Sequence, residues 1–167
     1  MEIVKDLKYL RQPCKEAQET DQVKDIAKML LQEMETHQLL GLAANQFGVQ
    51  LRIFAMRMDP GTPICLINPT IVRSYGGSEL KEEACESLPG RMAMVRRPKK
   101  VKVRGWNQYW RRVKYELTGR QARVACHELD HLQGVLIIDR EEPVGVGNRL
   151  IGRPSSSGLQ YERSEPV

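Results

Sequence analysis

The sequence predicts a single domain that mixes helix with strand, on three observations. Apolar residues recur at helical spacing from Val23 to Met34, four short strand-like runs follow between residues 51 and 117, and a second helical stretch opens at Thr118 and stops at Gly134. With 167 residues, 41% of them hydrophobic, the chain can bury the core of one ordinary domain but is short for two.

In chain order, Val23, Ile26, Ala27, Leu30, Leu31 and Met34 trace one face of an amphipathic helix. Thr20 or Asp21 supplies its N-cap, and about four to five turns bring it to an end before Gly41. Residues 51–58, 64–72, 101–104 and 113–117 read as strands. The last two read as hairpin arms, because Val101, Val103, Val113 and Tyr115 alternate with Lys102, Arg104, Arg112 and Lys114, an apolar face against a charged one. Thr118 with Gln121 three residues on predicts a capping box, so the second helix runs from about 119 to 133. Residues 135–138 predict one more short strand. From Glu141 the composition turns to Gly, Pro, Ser and charge, which predicts a division into a catalytic domain over 1–140 and a polar, mobile tail over 141–167.

Several function classes are excluded on composition. No run approaches the roughly 18 apolar residues of a membrane span, and the first ten residues, MEIVKDLKYL, lack the apolar centre of a signal peptide. The four cysteines, Cys14, Cys65, Cys85 and Cys126, show no CxxC spacing, so a disulfide framework is not expected. These features predict a soluble cytoplasmic protein. The net charge of +5 is concentrated, with twelve Lys or Arg and the single acid Glu116 between Arg91 and Arg123. Such a stretch is commonly a solvated face, and it also suits RNA.

The chemistry concentrates at His127-Glu128-Leu129-Asp130-His131, an HExxH sequence within the second helix. Residues four apart stack one turn above each other, so both imidazoles can ligate one ion, with Glu128 beside them to take a proton from its water. Two histidines leave a catalytic ion one ligand short. No histidine follows His131, and the downstream acids sit near or within the polar tail. Upstream, residues 83–87 put Cys85 in a polar, turn-rich segment where a thiolate forms readily, which makes Cys85 the third ligand. Cys126 lies one helical step, about 100°, from His127 and is expected to pack beside the metal shell. Cys14 and Cys65 read as small core residues, and His37 as a helix end.

Three separated segments then resemble one family. Leu40-Gly41-Leu42-Ala43-Ala44-Asn45-Gln46, residues 83–87 and residues 126–134 resemble, in order and spacing, the three motifs of the peptide deformylases, over roughly residues 13–139. The resemblance implies a compact α+β domain with strands surrounding a central HExxH helix. It implies Cys85, His127 and His131 as metal ligands and Glu128 as acid/base. Gln46 and the backbone N–H of Glu86 would stabilise the oxyanion, and Leu40, Gly41 and Val124 would bind substrate. Ferrous iron would be the working ion, with zinc, nickel or cobalt as substitutes, and the substrates would be N-formylmethionyl nascent peptides.

The sequence departs from the family at several points. Leu39 and Ala84 stand where glycine is usual, Glu86 where leucine is usual, and Cys126 where glutamine is usual. Arg120 and Arg123 replace aliphatic residues of the methionine pocket and predict a more polar one. The tail offers no amphipathic helix for ribosome docking, so the basic hairpin, with Trp106, Tyr109 and Trp110 near its turn, is the expected weak contact; neither membrane nor DNA is an expected partner. Two competing readings remain: a metallopeptidase of internal peptide bonds, and a basic RNA- or ribosome-binding module with a non-catalytic metal.

Overall fold

A computed structural model describes residues 2–58, 61–146 and 149–151 of the chain. A four-residue helix α1 (Leu7–Leu10) starts at Asp6, whose carboxylate accepts the N–H groups of Lys8 and Tyr9. Helix α2 (Asp21–Thr36) starts at Thr20, whose side chain accepts the Val23 N–H at 3.2 Å. Val23, Ala27, Leu30 and Met34 form its buried stripe, at the spacing that put them on one face in the sequence.

The five strands β1 (Gly41–Ala43), β2 (Ile53–Arg57), β3 (Pro63–Ala84), β4 (Met92–Trp106) and β5 (Arg112–Thr118) form one antiparallel sheet in chain order. Successive side chains on a strand point to opposite faces, and the core divides accordingly. Leu42, Ile53, Ala55, Cys65 and Ile67 pack with the α2 stripe. Ala43, Phe54, Met56, Leu66, Val101, Val103 and Leu117 pack with helix α3 (Gly119–Leu132). Strand β2 is thus covered on both faces, which is why its sequence is a continuous apolar run and not an alternating one.

Strands β3 and β4 run well beyond the expected segments. The outer half of β3 is largely polar and exposed or half-buried, while the half of β4 opposite it buries Ala93, Val95 and Arg97, and the pairing continues to Ala84↔Met92. A register shift between Tyr75 and Ser78 is taken up by Gly76 and Gly77 at φ 78° and 77°, a left-handed backbone that costs glycine little.

Two local expectations fail. Thr118 occupies the N-cap position of α3 but its side chain makes no capping bond, so the Thr118–Gln121 capping box does not form. Residues 135–138 do not form a strand. The chain winds into a 3-10 turn at Ile137–Asp139, closed by the Leu136 N–H donating to Asp139 Oδ2 at 2.9 Å; a carboxylate offering the backbone a local partner competes with sheet pairing. The C-terminus of α3 is as expected: Gly134 N–H donates to the His131 carbonyl and Val135 N–H to the Asp130 carbonyl, with Gly134 at φ 74°, a Schellman ending.

Beyond Arg140, Glu141 bridges Val95, Glu142 N–H donates to the Met94 carbonyl at 2.8 Å, and β6 (Val144–Val146) pairs with β7 (Arg149–Ile151). The tail expected to be mobile lies, for residues 152–167, outside the described residues. Among the described residues no helix is long and apolar enough to cross a membrane.

Candidate metal centre

Helix α3 carries His127, Glu128 and His131, all at most 2% exposed. The end of β3 and the turn after it bring in Glu83 and Cys85, and the 3-10 turn Ala44–Phe47 brings in Gln46. The Cys85 sulfur and one ring nitrogen from each histidine lie within 4.8 Å of one another. Cys85 Sγ is 3.2 Å from His131 Nε2, and the two imidazole centroids are 5.0 Å apart.

Whether these residues fit a metal ion is decided by atoms that nothing else satisfies. His127 Nε2 and both carboxylate oxygens of Glu128 are buried with no hydrogen-bond partner among the described residues. Each such group costs about 1–3 kcal/mol when left unpaired, and so many in one site demand an explanation. The His127 ring is oriented by Nδ1 against Glu83 Oε2 at 3.1 Å, which leaves Nε2 turned to the cluster. A divalent cation fits this donor set of one sulfur and two imidazoles.

Electrostatics agree. Burial pushes the Cys85 thiol up to about 12, against the opposing pull of the Ser87 and Leu88 N–H groups; a thiolate there needs a neighbouring cation. Burial, with His127 and Arg97 adding, drives the His131 imidazole well below its usual value, so it stays a neutral donor. Burial, reinforced by the Glu83 charge, raises the Glu128 carboxyl well above the usual carboxylate range. Glu83 goes the other way. Burial alone would raise it, but hydrogen bonds from His127 and Arg97 prevail and hold it at about 2.

Behind the site lies an ion-pair network. Arg97 grips Glu83 with two bonds of 3.0 Å and also pairs with Asp130. Arg123 donates to Glu83 at 2.7 Å and to the carbonyls of Val95 and Glu79. Arg140 pairs with Asp130 in turn. Nothing local in the sequence marks Glu83, Arg97, Arg123 or Asp130 as holding the histidines. The available signal was an Arg97 flanked by alternating apolar strand residues, an inward cation that has to find an acid.

The site residues expected from the sequence come together, with some corrections. Gln46 accepts the Ala43 N–H at 2.9 Å, so its amide nitrogen turns to Ser87 Oγ at 3.2 Å and to Cys85 Sγ at 3.8 Å. Gly41 lies where any Cβ would overlap Glu128 and Val124 Cγ1, so its lack of a side chain lets β1 close on the helix. Leu40 and Val124 line a cavity of about 210 Å³ with Arg57, Met58, Gly61, Arg120 and Gln121. Glu86 is half-buried in the turn whose Leu88 N–H donates to the Cys85 carbonyl. Cys85 sits at the turn after β3, as its turn-rich segment predicts, but its side chain is 4% exposed and packed with Ala93, Val95 and Ile137 where a polar setting was expected. Arg123 is likewise absent from the lining of the Leu40 cavity, drawn off by Glu83, while Arg120 is there. Cys126 belongs to the main core.

Comparisons with known proteins agree on one family. The polypeptide deformylase family profile matches residues 1–145. A peptide deformylase of Desulforudis audaxviator is 39% identical over 132 residues, 78% of this chain and 86% of that protein. The crystal structure of peptide deformylase from Thermotoga maritima superposes with a TM-score of 0.78 at 36% identity, covering 85% of this chain and 96% of that one. The Synechococcus elongatus enzyme in complex with actinonin superposes with a TM-score of 0.78 at 34% identity, over 85% and 78%. With three sequence motifs, a five-stranded fold and a Cys/His/His cluster able to hold a metal all in agreement, the chain belongs to the polypeptide deformylase family.

Proposed function

We propose that this enzyme hydrolyses the formamide at the N-terminus of N-formylmethionyl nascent peptides, with Cys85, His127 and His131 holding ferrous iron, for which zinc, nickel or cobalt can substitute. The observation that carries the reading is the buried Cys85/His127/His131 cluster with the unpaired Glu128 carboxylate beside it. When bound, the ion supplies Lewis acidity, which lowers the pKa of a water and polarises the formyl carbonyl.

The remaining work falls to the chain's own groups. Glu83 orients His127 through Nδ1 and keeps Nε2 a lone-pair donor. Glu128 takes a proton as the water oxygen adds to the formyl carbon, then delivers it to the amine nitrogen as the C–N bond breaks, giving formate and a free methionine N-terminus. Gln46 is held by the Ala43 N–H, so its amide N–H groups, with the Glu86 backbone N–H, serve the negative charge that grows on the carbonyl oxygen. Leu40, Gly41 and Val124 bound the methionine side chain, Leu40 and Val124 lining a cavity that Arg57 and Arg120 make polar at its edge.

The setting is cytoplasmic, where thiols stay reduced, in keeping with four free, buried cysteines. A catalytic domain over 1–140 carries the chemistry and the segment 141–167 is ancillary. The basic β4–β5 hairpin is the contact to the ribosome.

A formate-release assay on a short formylated peptide tests the reading. Glu128→Gln is expected to lower kcat by about 10²–10⁴ with metal content unchanged, whereas Cys85→Ala loses the metal. Cleavage of unformylated internal peptide bonds, with no formate released, would overturn it. Metal analysis of anaerobically purified protein distinguishes iron from the other ions.

A further inference from the structure

The strand register gathers, on the face of the sheet turned away from α3, cations that the sequence scatters over three strands. Val101 and Val103 point into the core, so Lys100, Lys102 and Arg104 point outward. The pairing sets Tyr75 against Lys100, Arg73 against Lys102, and Thr70 against Arg104 on one side. On the other it sets Lys102 against Glu116, Arg104 against Lys114, and Trp106 against Arg112. The result is a lattice of Arg73, Lys100, Lys102, Arg104, Arg112 and Lys114, with Glu116 its acid.

This arrangement opposes folding. Arg73↔Lys102 and Arg104↔Lys114 are like charges directly opposite each other, a destabilising pairing. Glu116 neutralises Lys102 at 3.1 Å, but Arg104 and Lys114 have no acidic partner among the described residues. Arg73, Lys100 and Lys102 all crowd the Tyr75 ring, at 5.2, 5.9 and 5.8 Å from its centroid. Same-face side chains recur about every 7 Å along a strand and roughly 5 Å between strands, so the lattice is dense. A polyanion laid across it removes the repulsion.

We propose that this face binds the phosphate backbone of single-stranded RNA, with the neighbouring Tyr109 as a stacking platform for a base. Tyr109 is 69% exposed at the hairpin tip, and base–aromatic stacking is how unpaired strands are held without sequence preference. An anionic bilayer suits the face less well. Tyr75 and Trp106 in the lattice are half-buried and Val72 beside Arg73 is 41% exposed, so little apolar surface protrudes to enter lipid. The inference takes its setting from the ribosome contact proposed above and does not need the hydrolytic reading.

The test is anisotropy of a fluorescein-labelled oligouridine RNA with the full chain over a salt series. For single strands log K falls with log salt by about 0.7 per neutralised phosphate, so six cations allow a slope up to about −4. Arg104→Ser with Lys114→Ser is expected to make that slope shallower by about 1.4, leaving formate release from a short peptide unchanged as the check on folding. Tyr109→Ala is expected to weaken binding about fivefold or more at an unaltered slope. Lys24→Ser with Lys28→Ser on α2 serves as the control and changes neither. Absence of salt-dependent binding, a double variant that binds like the parent, or displacement of the RNA by phosphatidylserine vesicles would each overturn the proposal. RNA binding without binding to intact ribosomes supports the face and sinks the ribosome setting alone.

Discussion

The two sides of helix α3 treat buried charge in opposite ways. Behind the helix, Glu83, Arg97, Arg123, Asp130 and Arg140 satisfy one another in a continuous network. In front, the Glu128 carboxylate and His127 Nε2 have no partner among the described residues. Helix α3 contributes buried side chains to both sets, Arg123 and Asp130 to one and His127 and Glu128 to the other, so the unpaired groups are not a failure of packing. Groups without a protein partner are those left for an ion, a water and a substrate. The paired ones fix where the unpaired ones point.

The largest test of that division is to break the network. Arg97→Leu removes the cation that Glu83 and Asp130 share and leaves Glu83 to Arg123 and His127 and Asp130 to Arg140; removing one partner of a buried pair costs about 3–5 kcal/mol. Thermal unfolding is expected to shift down by roughly 10 °C or more for a chain of this size. Metal affinity should fall about 10–100-fold, because the group orienting His127 is loosened. A variant as stable as the parent would mean that the network is ornamental.

The two glutamates should answer the same substitution with opposite signs. Glu83 sits at about 2 when folded, below its usual value near 4.5, so it contributes stability above pH 4.5 that is lost as the pH falls toward 2. The shift corresponds to about 3 kcal/mol, and Glu83→Gln should flatten the acid limb of the stability profile. Glu128 is raised instead, so the folded state holds its proton more tightly and loses stability as the pH climbs above the ordinary carboxyl range. Glu128→Gln is thus expected to stabilise the metal-free protein at neutral pH while lowering kcat by about 10²–10⁴. Urea denaturation from pH 3 to pH 8 reads both, and equal signs would refute the contrast.

Gly41 sharpens the comparison at closer range. A Cβ there meets Glu128 and Val124, and forcing atoms into a packed site costs about 1–3 kcal/mol. Gly41→Ala should lower kcat more than it lowers stability, because the group displaced first is the Glu128 carboxylate. Equal losses in both would make the glycine merely structural.

These distinctions mark how far the sequence could be read. His127, Glu128 and His131 were legible because their geometry is local, one helical turn, and the α2 stripe for the same reason. Cys85 was found as a candidate ligand, but its burial was not, since that depends on Ala93, Val95 and Ile137 from elsewhere in the chain. The outer half of β3 carries no apolar period, since most of its side chains are exposed or half-buried and pairing with β4 holds it. Arg123 read as a pocket residue because nothing local reveals that Glu83, forty positions away, draws it aside.

The smallest effect isolates pairing from residue type. Thr20 and Thr118 occupy the same N-cap position of their helices with the same extended backbone, φ −140° and −132°. Only Thr20 accepts a backbone N–H. Thr20→Ala is expected to cost about 1 kcal/mol, the usual value of a working cap, and Thr118→Ala no more than about 0.5 kcal/mol, as for surface changes that remove no contact. If chemical denaturation gave equal losses, the identity of the residue and not its hydrogen bond would be setting the stability, and the contrast drawn across α3 would lose its physical basis.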